Sequence, residues 1–71
     1  MEDIRIGIIG HGFMGHEHEK MLTKMDGIRL IGFSDIDPKQ LEDVREGLKR
    51  YASNEELIHD PQPRIISIII W

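Results

Sequence analysis

Three glycines at positions 10, 12 and 15 constrain the fold of this sequence more than any other feature. They form the pattern G-x-G-x-x-G directly after the β-branched segment "IRIGII", from Ile4 to Ile9. Such a segment predicts a buried strand, and glycines at its end predict a tight turn. Apolar residues at helical spacing follow, so a helix should begin at about Phe13. The sequence therefore predicts a strand, a glycine turn and a helix as its first unit.

The first helix is predicted to run from Phe13 to about Met25. Residues three or four apart share one face of a helix, and this periodicity divides the segment into two sides. The buried face is expected to carry Met14, His18, Met21, Leu22 and Met25, and the polar side His16, Glu17, Glu19 and Lys20.

A second strand and a second helix are predicted next. Asp26 and Gly27 close the first helix, and "IRLIGFSD", from Ile28 to Asp35, is typical of a strand that ends on a carboxylate. Asp37 is a good N-cap and Pro38 a good first helical residue. The buried face of this second helix is expected to contain Leu41, Val44, Leu48 and Tyr51.

The rest of the chain predicts one more helix and one more strand. "KRYAS", from Lys49 to Ser53, is either the end of the second helix or a very short third strand. Ser53 with Glu56 forms a capping box that opens a short helix to about Ile58. After the prolines, "RIISIIIW" predicts a buried last strand. Alternating strands and helices with continuous apolar strands indicate an α/β fold, with a parallel sheet covered on both faces.

Composition excludes several classes of protein. With 71 residues the chain makes one small domain or a piece of a larger one. Its net charge is −4, and its lysines and arginines do not cluster into the basic face of a nucleic-acid-binding protein. It has no cysteine, so disulfides and thiolate metal sites are absent. The acidic start "MEDIRIG" does not resemble a signal peptide, and the last apolar run is too short to cross a membrane. We expect a cytoplasmic protein.

Histidines near the glycines raise the alternative of a metal site. His16 and His18 are two residues apart, and on a helix they point about 200° away from each other, so they do not share a metal. His11 lies in the turn before them, and His59 is remote in the sequence. We therefore predict no metal ligands, and a metal-binding or purely structural module is kept as an alternative.

The glycine spacing instead favours a dinucleotide. Gly10 permits the tight turn, Gly12 leaves room for a pyrophosphate, and Gly15 lets the helix pack closely on the strand. The amides of Phe13 and Met14 at the helix N-terminus are then free to bind phosphate oxygens. The alternative is a strand-to-helix turn that binds no ligand. No Walker lysine follows the glycines, so a nucleoside triphosphate site is not indicated.

Asp35 ends the second strand about 20 residues beyond the glycines, where the dinucleotide fingerprint asks for an acidic residue. Its carboxylate would accept hydrogen bonds from the ribose hydroxyls and would repel a 2′-phosphate by roughly 1 to 4 kcal/mol. NAD is therefore expected as the cofactor in preference to NADP. The alternative role for Asp35 is to cap the turn before Asp37.

Several segments together resemble one known family. These are "IRIGIIGHGFMGHEHEKML", "GIRLIGFSDIDPKQLED", "YASNEELIHD" and the final Ile-rich strand, which cover nearly the whole chain. They are similar to the N-terminal part of the glucose-fructose oxidoreductase and inositol dehydrogenase family. The match includes His18 three residues after Gly15 and the "DIDP" turn that starts at Asp35.

The resemblance implies a partial Rossmann fold, doubly wound in three α/β/α layers, with strand order 3-2-1-4. It implies a nicotinamide-dependent oxidoreductase acting on sugars, cyclitols or similar polyols, and it places Ser53 near the adenosine half of the site. The cofactor would be held at the positions of Gly10, Gly12, Phe13, Met14, Gly15 and Asp35. At position 11 the family carries a small or apolar residue, where this sequence has His11.

Members of the family are several hundred residues long, so the resemblance implies that these 71 residues correspond to the N-terminal part of the dinucleotide-binding domain. Its substrate domain and its catalytic lysine lie beyond the fourth strand, so we expect no catalytic residue here and no activity from this chain alone. The unpaired edge of the last strand, from Arg64 to Trp71, predicts a homo-oligomer. Two alternatives remain open: a stand-alone NAD-sensing module and an S-adenosylmethionine-binding module.

Overall fold

A computed structural model describes residues 3–69 as a four-stranded sheet with helices on both of its faces. A single turn of 3-10 helix, from Pro38 to Leu41, lies between the second and third strands. The other elements, in chain order, are β1 (Ile4–Ile9), α1 (Phe13–Leu22), β2 (Ile28–Ser34), β3 (Lys49–Arg50), α2 (Asn54–His59) and β4 (Ile65–Ile68).

The sheet is parallel throughout and has the strand order β3-β2-β1-β4. β1 lies inside the sheet, where Ile6 pairs with Leu30 of β2 on one side and with Ile65 of β4 on the other. This arrangement confirms the predicted partial Rossmann fold and its strand order. Because all four strands run in one direction, their carboxyl ends meet at one edge of the sheet.

Neighbouring residues of β1 face opposite layers, since side chains alternate along a strand. Ile8 is fully buried in a core that it shares with Leu30, Phe33 and Val44, on the face that also receives α1. Gly7 faces the other way, and a Cβ there would lie 3.2 Å from the side chain of Leu57 in α2. The molecule therefore has three layers, with α1 and α2 on opposite faces.

Helix α1 is shorter than predicted and buries a different face. It ends at Leu22, where the Thr23 hydroxyl donates a hydrogen bond to the carbonyl of Glu19 at 2.8 Å. Gly15 and Glu19 are its buried residues, whereas the predicted core residues Met14, Met21 and Met25 are exposed. The side of α1 that carries Gly15 packs closely against the glycine loop, because glycine has no side chain to prevent the contact. With this side of the helix buried, the methionines face outward.

The predicted second helix is wrong. Asp37 does cap a helical start, accepting a hydrogen bond from the Lys39 amide at 3.1 Å, but only one 3-10 turn follows. The chain then continues through turns to Gly47, whose φ of +93° is incompatible with a right-handed helix. Most residues of the predicted face are nevertheless buried, because the turns press Leu41, Val44 and Tyr51 against the sheet.

The segment after Gly47 follows the short-strand alternative, as Lys49 and Arg50 pair with β2. Ser53 then caps α2 as predicted, its hydroxyl accepting from the Glu56 amide at 3.1 Å. The Glu56 carboxylate completes the cap by accepting from the amide of Ala52 at 3.1 Å. Local capping chemistry therefore fixes the start of α2.

The last strand is exposed, although its apolar sequence predicted a buried one. Ile65 is 48% and Ile68 70% exposed, and within residues 3–69 β4 pairs only with β1. Helix α2 packs mainly on β1 and β2, and Ile65, Ile66 and Ile68 of β4 remain exposed. Ile70 and Trp71, included in the predicted strand, lie outside the described residues. Within the described part, no helix has the length and apolar character of a membrane span.

Candidate functional site

A cleft of about 440 Å³ opens at the carboxyl ends of β1 and β2, where a doubly wound sheet binds its ligands. The glycine loop forms one wall, and the turn after β2 forms the other. The residues that line it are Ile9, Gly10, Gly12, Asp35, Ile36, Asp37, Gln40, Asn54 and Ile69.

Gly10 makes the turn out of β1. Its φ is +110°, and its amide donates a hydrogen bond to the carbonyl of Ser34 at 2.7 Å. A Cβ at this position would collide with the backbone carbonyl of Ile69. Both the backbone conformation and the close neighbour therefore require glycine here.

Gly12 precedes α1 as its N-cap, and within the described chain no side chain caps the amides of the first turn. The N-terminus of a helix with open amides attracts anions. Phe13 and Met14 contribute two of these amides, and their side chains are exposed. Gly15 lies one turn further on, where a Cβ would be only 2.5 Å from the carbonyl oxygen of Gly10.

Asp35 joins the two walls of the cleft. Its Oδ2 accepts a hydrogen bond from the amide of His11 in the glycine loop, and its Oδ1 accepts from the amide of Asp37, both at 2.8 Å. The carboxylate thus also makes the turn contact that the sequence raised as an alternative. Each carboxylate oxygen has more than one acceptor site, so Asp35 retains capacity for a ligand hydroxyl.

His11 is fully buried under the glycine loop, which keeps its side chain out of the cleft. Its Nδ1 lies 2.6 Å from the carbonyl of Gln40, and because a carbonyl only accepts, Nδ1 carries the proton. The ring packs against Phe33 and His16, with centroid distances of 4.4 and 4.0 Å. The structure thus shows how a histidine fits between two glycines of the loop.

His16 connects α1 to the segment after the 3-10 turn. Its Nδ1 lies 2.7 Å from the carbonyl of Gly12, and its Nε2 lies 2.6 Å from Oδ2 of Asp43. The hydrogen bond to Gly12, followed by the contact with Asp43, raises the pKa of His16 against the opposing effect of burial. The same contact with His16 lowers the pKa of Asp43.

Glu19 is buried on α1, although the sequence placed it on the polar side. Its Oε2 accepts from the amide of Arg45 at 3.2 Å, and its Oε1 lies 3.4 Å from Nε2 of His11. That nitrogen is buried and has no hydrogen-bond partner within the described residues. Polar residues therefore occupy the contact between α1 and the segment from Asp43 to Arg45.

His11, His16 and Asp43 form a group whose nitrogen and oxygen atoms lie within 4.8 Å of one another, close enough for a metal ion. Sequence spacing does not predict this group, because the fold brings His11 and Asp43 together from distant positions. In the structure Nε2 of His16 faces the Asp43 carboxylate, and Nδ1 of His11 donates to a carbonyl. Each of these two nitrogens therefore has a hydrogen-bond acceptor beside it.

The predicted cofactor residues take three different positions. Gly10, Gly12 and Asp35 line the cleft, Phe13 and Met14 stand at the exposed start of α1, and Gly15 packs against Gly10. Ser53 caps α2, while its neighbour Asn54 lines the cleft and accepts a hydrogen bond from Ser34 at 2.7 Å. Asn54 and Gln40 were not predicted as site residues, although both lie in segments that carry the family resemblance, because the fingerprint assigns a role only to its glycines and its acidic residue.

Comparison with known proteins identifies relatives of this fold and cleft. A family model described as an oxidoreductase family with an NAD-binding Rossmann fold matches residues 4–71. The inositol 2-dehydrogenase of Ralstonia nicotianae is 33% identical over 73 residues, covering 96% of this chain and 22% of that protein. That of Burkholderia ambifaria is 36% identical over 58 residues, covering 80% of this chain and 16% of that protein.

Two solved structures share the fold. An NAD-binding protein from Listeria innocua superposes with a TM-score of 0.85 at 28% identity, over 96% of this chain and 20% of that one. GenD2 from gentamicin A biosynthesis, solved in complex with NAD, superposes with a TM-score of 0.84 at 25% identity. The match covers 97% of this chain and 20% of GenD2. The chain thus spans about a fifth of the length of most of these proteins. These matches do not support an S-adenosylmethionine-binding module or a stand-alone NAD sensor.

Proposed function

This chain belongs to the oxidoreductase family with an NAD-binding Rossmann fold, and from this premise we propose that it binds the adenosine and pyrophosphate half of NAD in the cleft beside Gly12 and Asp35. The observation that carries the proposal is the position of these two residues on opposite walls of one cleft. A phosphate-binding loop and a ribose-binding carboxylate are then available to one ligand.

The pyrophosphate would lie against the N-terminus of α1. Gly12 has no side chain to block it, and the open amides of Phe13 and Met14 supply hydrogen-bond donors. No acidic residue occupies the first turn of the helix, so the local charge there does not oppose an anion. This part of the site binds phosphates of any dinucleotide and does not distinguish NAD from NADP.

Discrimination between NAD and NADP is assigned to the other wall. Asp35 and Asp37 both line the cleft there, and two carboxylates repel the 2′-phosphate of NADP more strongly than one. Ile36, between them, is 91% exposed and presents an apolar surface on which an adenine ring can lie. These residues favour the free 2′-hydroxyl of NAD.

We further propose that the chain serves an oxidoreductase acting on inositol or a similar polyol, as the names of its relatives suggest. The bound nicotinamide would supply the hydride chemistry. Proton transfer needs a suitably placed acid or base, and the described lining contains no lysine or histidine. We therefore assign the 71 residues to the N-terminal part of the dinucleotide-binding domain and expect no turnover from them alone.

Calorimetric titration of the chain with NAD and with NADP tests the proposal. NAD should bind more tightly than NADP. Asp35→Asn should lower the affinity for NAD, and it should also reduce the preference for NAD over NADP, because the neutral amide repels a 2′-phosphate less. Asp26→Asn is a matched control, since Asp26 is exposed and precedes the amino end of β2, remote from the cleft. Equal affinities for both dinucleotides in the wild type would refute the assigned preference.

A further inference from the structure

The polar residues behind the glycine loop have no role in the function proposed so far. His11 is fully buried and Glu19 is 4% exposed, so both have lost water as a partner. Buried polar side chains cost stability unless they are paired, and the Nε2 atom of His11 lacks a hydrogen bond within the described residues. A cluster that costs stability beside a binding loop calls for a functional explanation.

One atom links this cluster directly to the loop. The carbonyl oxygen of Gly12 accepts two hydrogen bonds from His16, from its backbone amide at 2.9 Å and from its ring Nδ1 at 2.7 Å. In a planar trans peptide the carbonyl and the following amide point in opposite directions. By adding a second bond to the Gly12 carbonyl, the His16 ring reinforces the orientation that aims the Phe13 amide toward the proposed pyrophosphate position.

The two ring contacts of His16 require the charged imidazolium. Nδ1 faces a carbonyl and Nε2 faces the Asp43 carboxylate, and both of these groups accept protons only. A neutral ring has one N–H, so it must give up either the Gly12 contact or the Asp43 contact. Loss of the proton from Nδ1 removes the ring bond to the Gly12 carbonyl and leaves only the backbone bond from the His16 amide, whereas loss from Nε2 sets a lone pair against a carboxylate.

The charged groups around His16 come from three parts of the chain. His11 stacks on it from the loop, Glu19 lies on the same helix, and Asp43 faces it from the segment after the 3-10 turn, where Arg45 contacts Glu19. The two carboxylates favour the imidazolium, while a positive charge on His11 would oppose it. An anion at the N-terminus of α1 would add a further favourable charge to the side that holds the proton.

We propose that His16, clamped by Asp43 and stacked on His11, is a positioning residue for the phosphate loop, and that its protonated form binds the pyrophosphate more tightly than its neutral form. This inference rests on the proposed function, because it concerns the same cleft. The affinity of the glycine loop for the pyrophosphate would then depend on the protonation of His16 as well as on the backbone geometry of the glycines.

The sign of the effect follows from linkage. If the anion favours the protonated ring, binding raises the pKa of His16, and affinity falls as pH rises through the titration of that ring. Since its contacts already place the pKa of His16 above the ordinary value of 6.5, the fall belongs on the alkaline side of that value. Each unit of additional upward shift on binding corresponds to roughly a tenfold loss of affinity across the titration.

The first test needs no ligand. In ¹⁵N-resolved NMR of the free chain, both ring nitrogens of His16 should be protonated at about pH 6. The backbone signals of Gly12 and Phe13 should shift with the same midpoint as the ring. In His16→Gln these signals should lose that titration, while in His18→Gln, which removes a histidine from the same helix, they should keep it. Signals of Gly12 and Phe13 that ignore the His16 titration would overturn the inference.

The second test measures NAD affinity from about pH 6 to about pH 9. Chelator in every buffer excludes metal bound by the cluster. The wild type and His18→Gln should lose affinity together as pH rises, and His16→Gln should bind more weakly and with a flat profile. A pH profile unchanged by His16→Gln would reject the proton linkage.

The two proposals fail in distinguishable ways. If the folded wild type binds neither dinucleotide at any pH, the proposed function is wrong for this chain, and the ligand-free NMR titration still decides whether His16 positions the loop. If NAD binds with the same affinity at every pH, the proposed function stands and the role of His16 is wrong.

Discussion

The amide of His11 donates a hydrogen bond to Oδ2 of Asp35 over 2.8 Å, and this contact joins the glycine loop to the end of β2. A second bond between the same walls runs from the His11 ring to the carbonyl of Gln40 at 2.6 Å. The loop and the strand-end carboxylate are thus fixed relative to each other before any ligand binds. Such preorganisation lowers the entropic cost of binding.

Removing the Asp35 carboxylate should therefore affect stability as well as binding. Asp35→Ala leaves the His11 and Asp37 amides without their partner, and we expect the free energy of unfolding to fall by about 1–3 kcal/mol. Asp35→Asn keeps one oxygen acceptor, so its free energy of unfolding should fall by less than that of Asp35→Ala. Urea unfolding followed by circular dichroism measures the change, with Asp26→Ala as the control. Equal stability of Asp35→Ala and the control would contradict the structural role.

Gly15→Ala offers a test in which packing and helix propensity predict opposite signs. Within a helix, alanine is favoured over glycine by roughly 1 kcal/mol. Here the new Cβ would lie 2.5 Å from the Gly10 carbonyl oxygen, so the overlap should make the net effect destabilising by about 1–3 kcal/mol. Thermal unfolding of Gly15→Ala beside Glu17→Ala, an exposed position of α1, decides the sign. A more stable Gly15→Ala chain would show that the close contact does not exist.

Leu57 and Ile58 are neighbours on α2 with opposite environments. Leu57 is fully buried over Gly7, whereas Ile58 is 53% exposed. Leu57→Ala should cost about 2–5 kcal/mol, which is enough to unfold a marginally stable domain of this size, and Ile58→Ala should cost far less. Chemical denaturation of both variants checks whether α2 covers the second face of the sheet. Similar losses in the two variants would exclude this packing.

Acid should weaken the contact between β3 and the end of α2. Hydrogen bonds from Lys49 at 2.8 Å and from Tyr51 lower the pKa of Asp60 to about 2. Because the folded value lies below the unfolded one, the carboxylate stabilises the fold above its ordinary pKa of 3.8, and this contribution is lost as pH falls toward 2. Asp60→Asn should unfold at a lower temperature at neutral pH, and the difference from wild type should shrink between about pH 4 and about pH 2. A constant difference would argue against this pairing.

Self-association through β4 remains a prediction. An exposed apolar strand at a sheet edge favours pairing with another copy, and Ile65, Ile66 and Ile68 are all exposed. Sedimentation velocity should show a concentration-dependent dimer or larger species. Ile68→Lys should weaken it, because a charge at a 70% exposed position disfavours an apolar contact while leaving the fold intact. A monomer at high concentration would exclude the association.

Local rules predicted much of the fold. The glycine spacing predicted the turn at Gly10 and the helix that starts at Phe13, and Ser53 predicted the cap of α2. These features depend on neighbouring residues and on backbone conformations that few residue types adopt. The strand order needed the family resemblance, since periodicity alone does not say which strands pair.

Tertiary contacts decided the features that the sequence did not predict. The close approach of Gly15 to Gly10 set the rotation of α1, so Glu19 is buried and Met21 is exposed. The sequence after Pro38 has a helical pattern, but the structure forms turns there beyond a single 3-10 turn. Leu41 and Val44 reach the core from these turns, so burying them does not require a helix. The pairing of His16 with Asp43 spans 27 positions, and no local pattern predicts a contact at that separation.

The most direct test of the account is NMR chemical-shift mapping of the folded chain with NAD. The account predicts that the largest saturable changes fall on the amides of Gly12, Phe13, Met14 and Ile36, at the glycine loop and beside Asp35. Amides at the opposite edge of the sheet, such as those of Asp26 and Gly27, should not change. Changes centred away from the glycine loop, or none at saturating NAD, would contradict the claim that this cleft binds the dinucleotide.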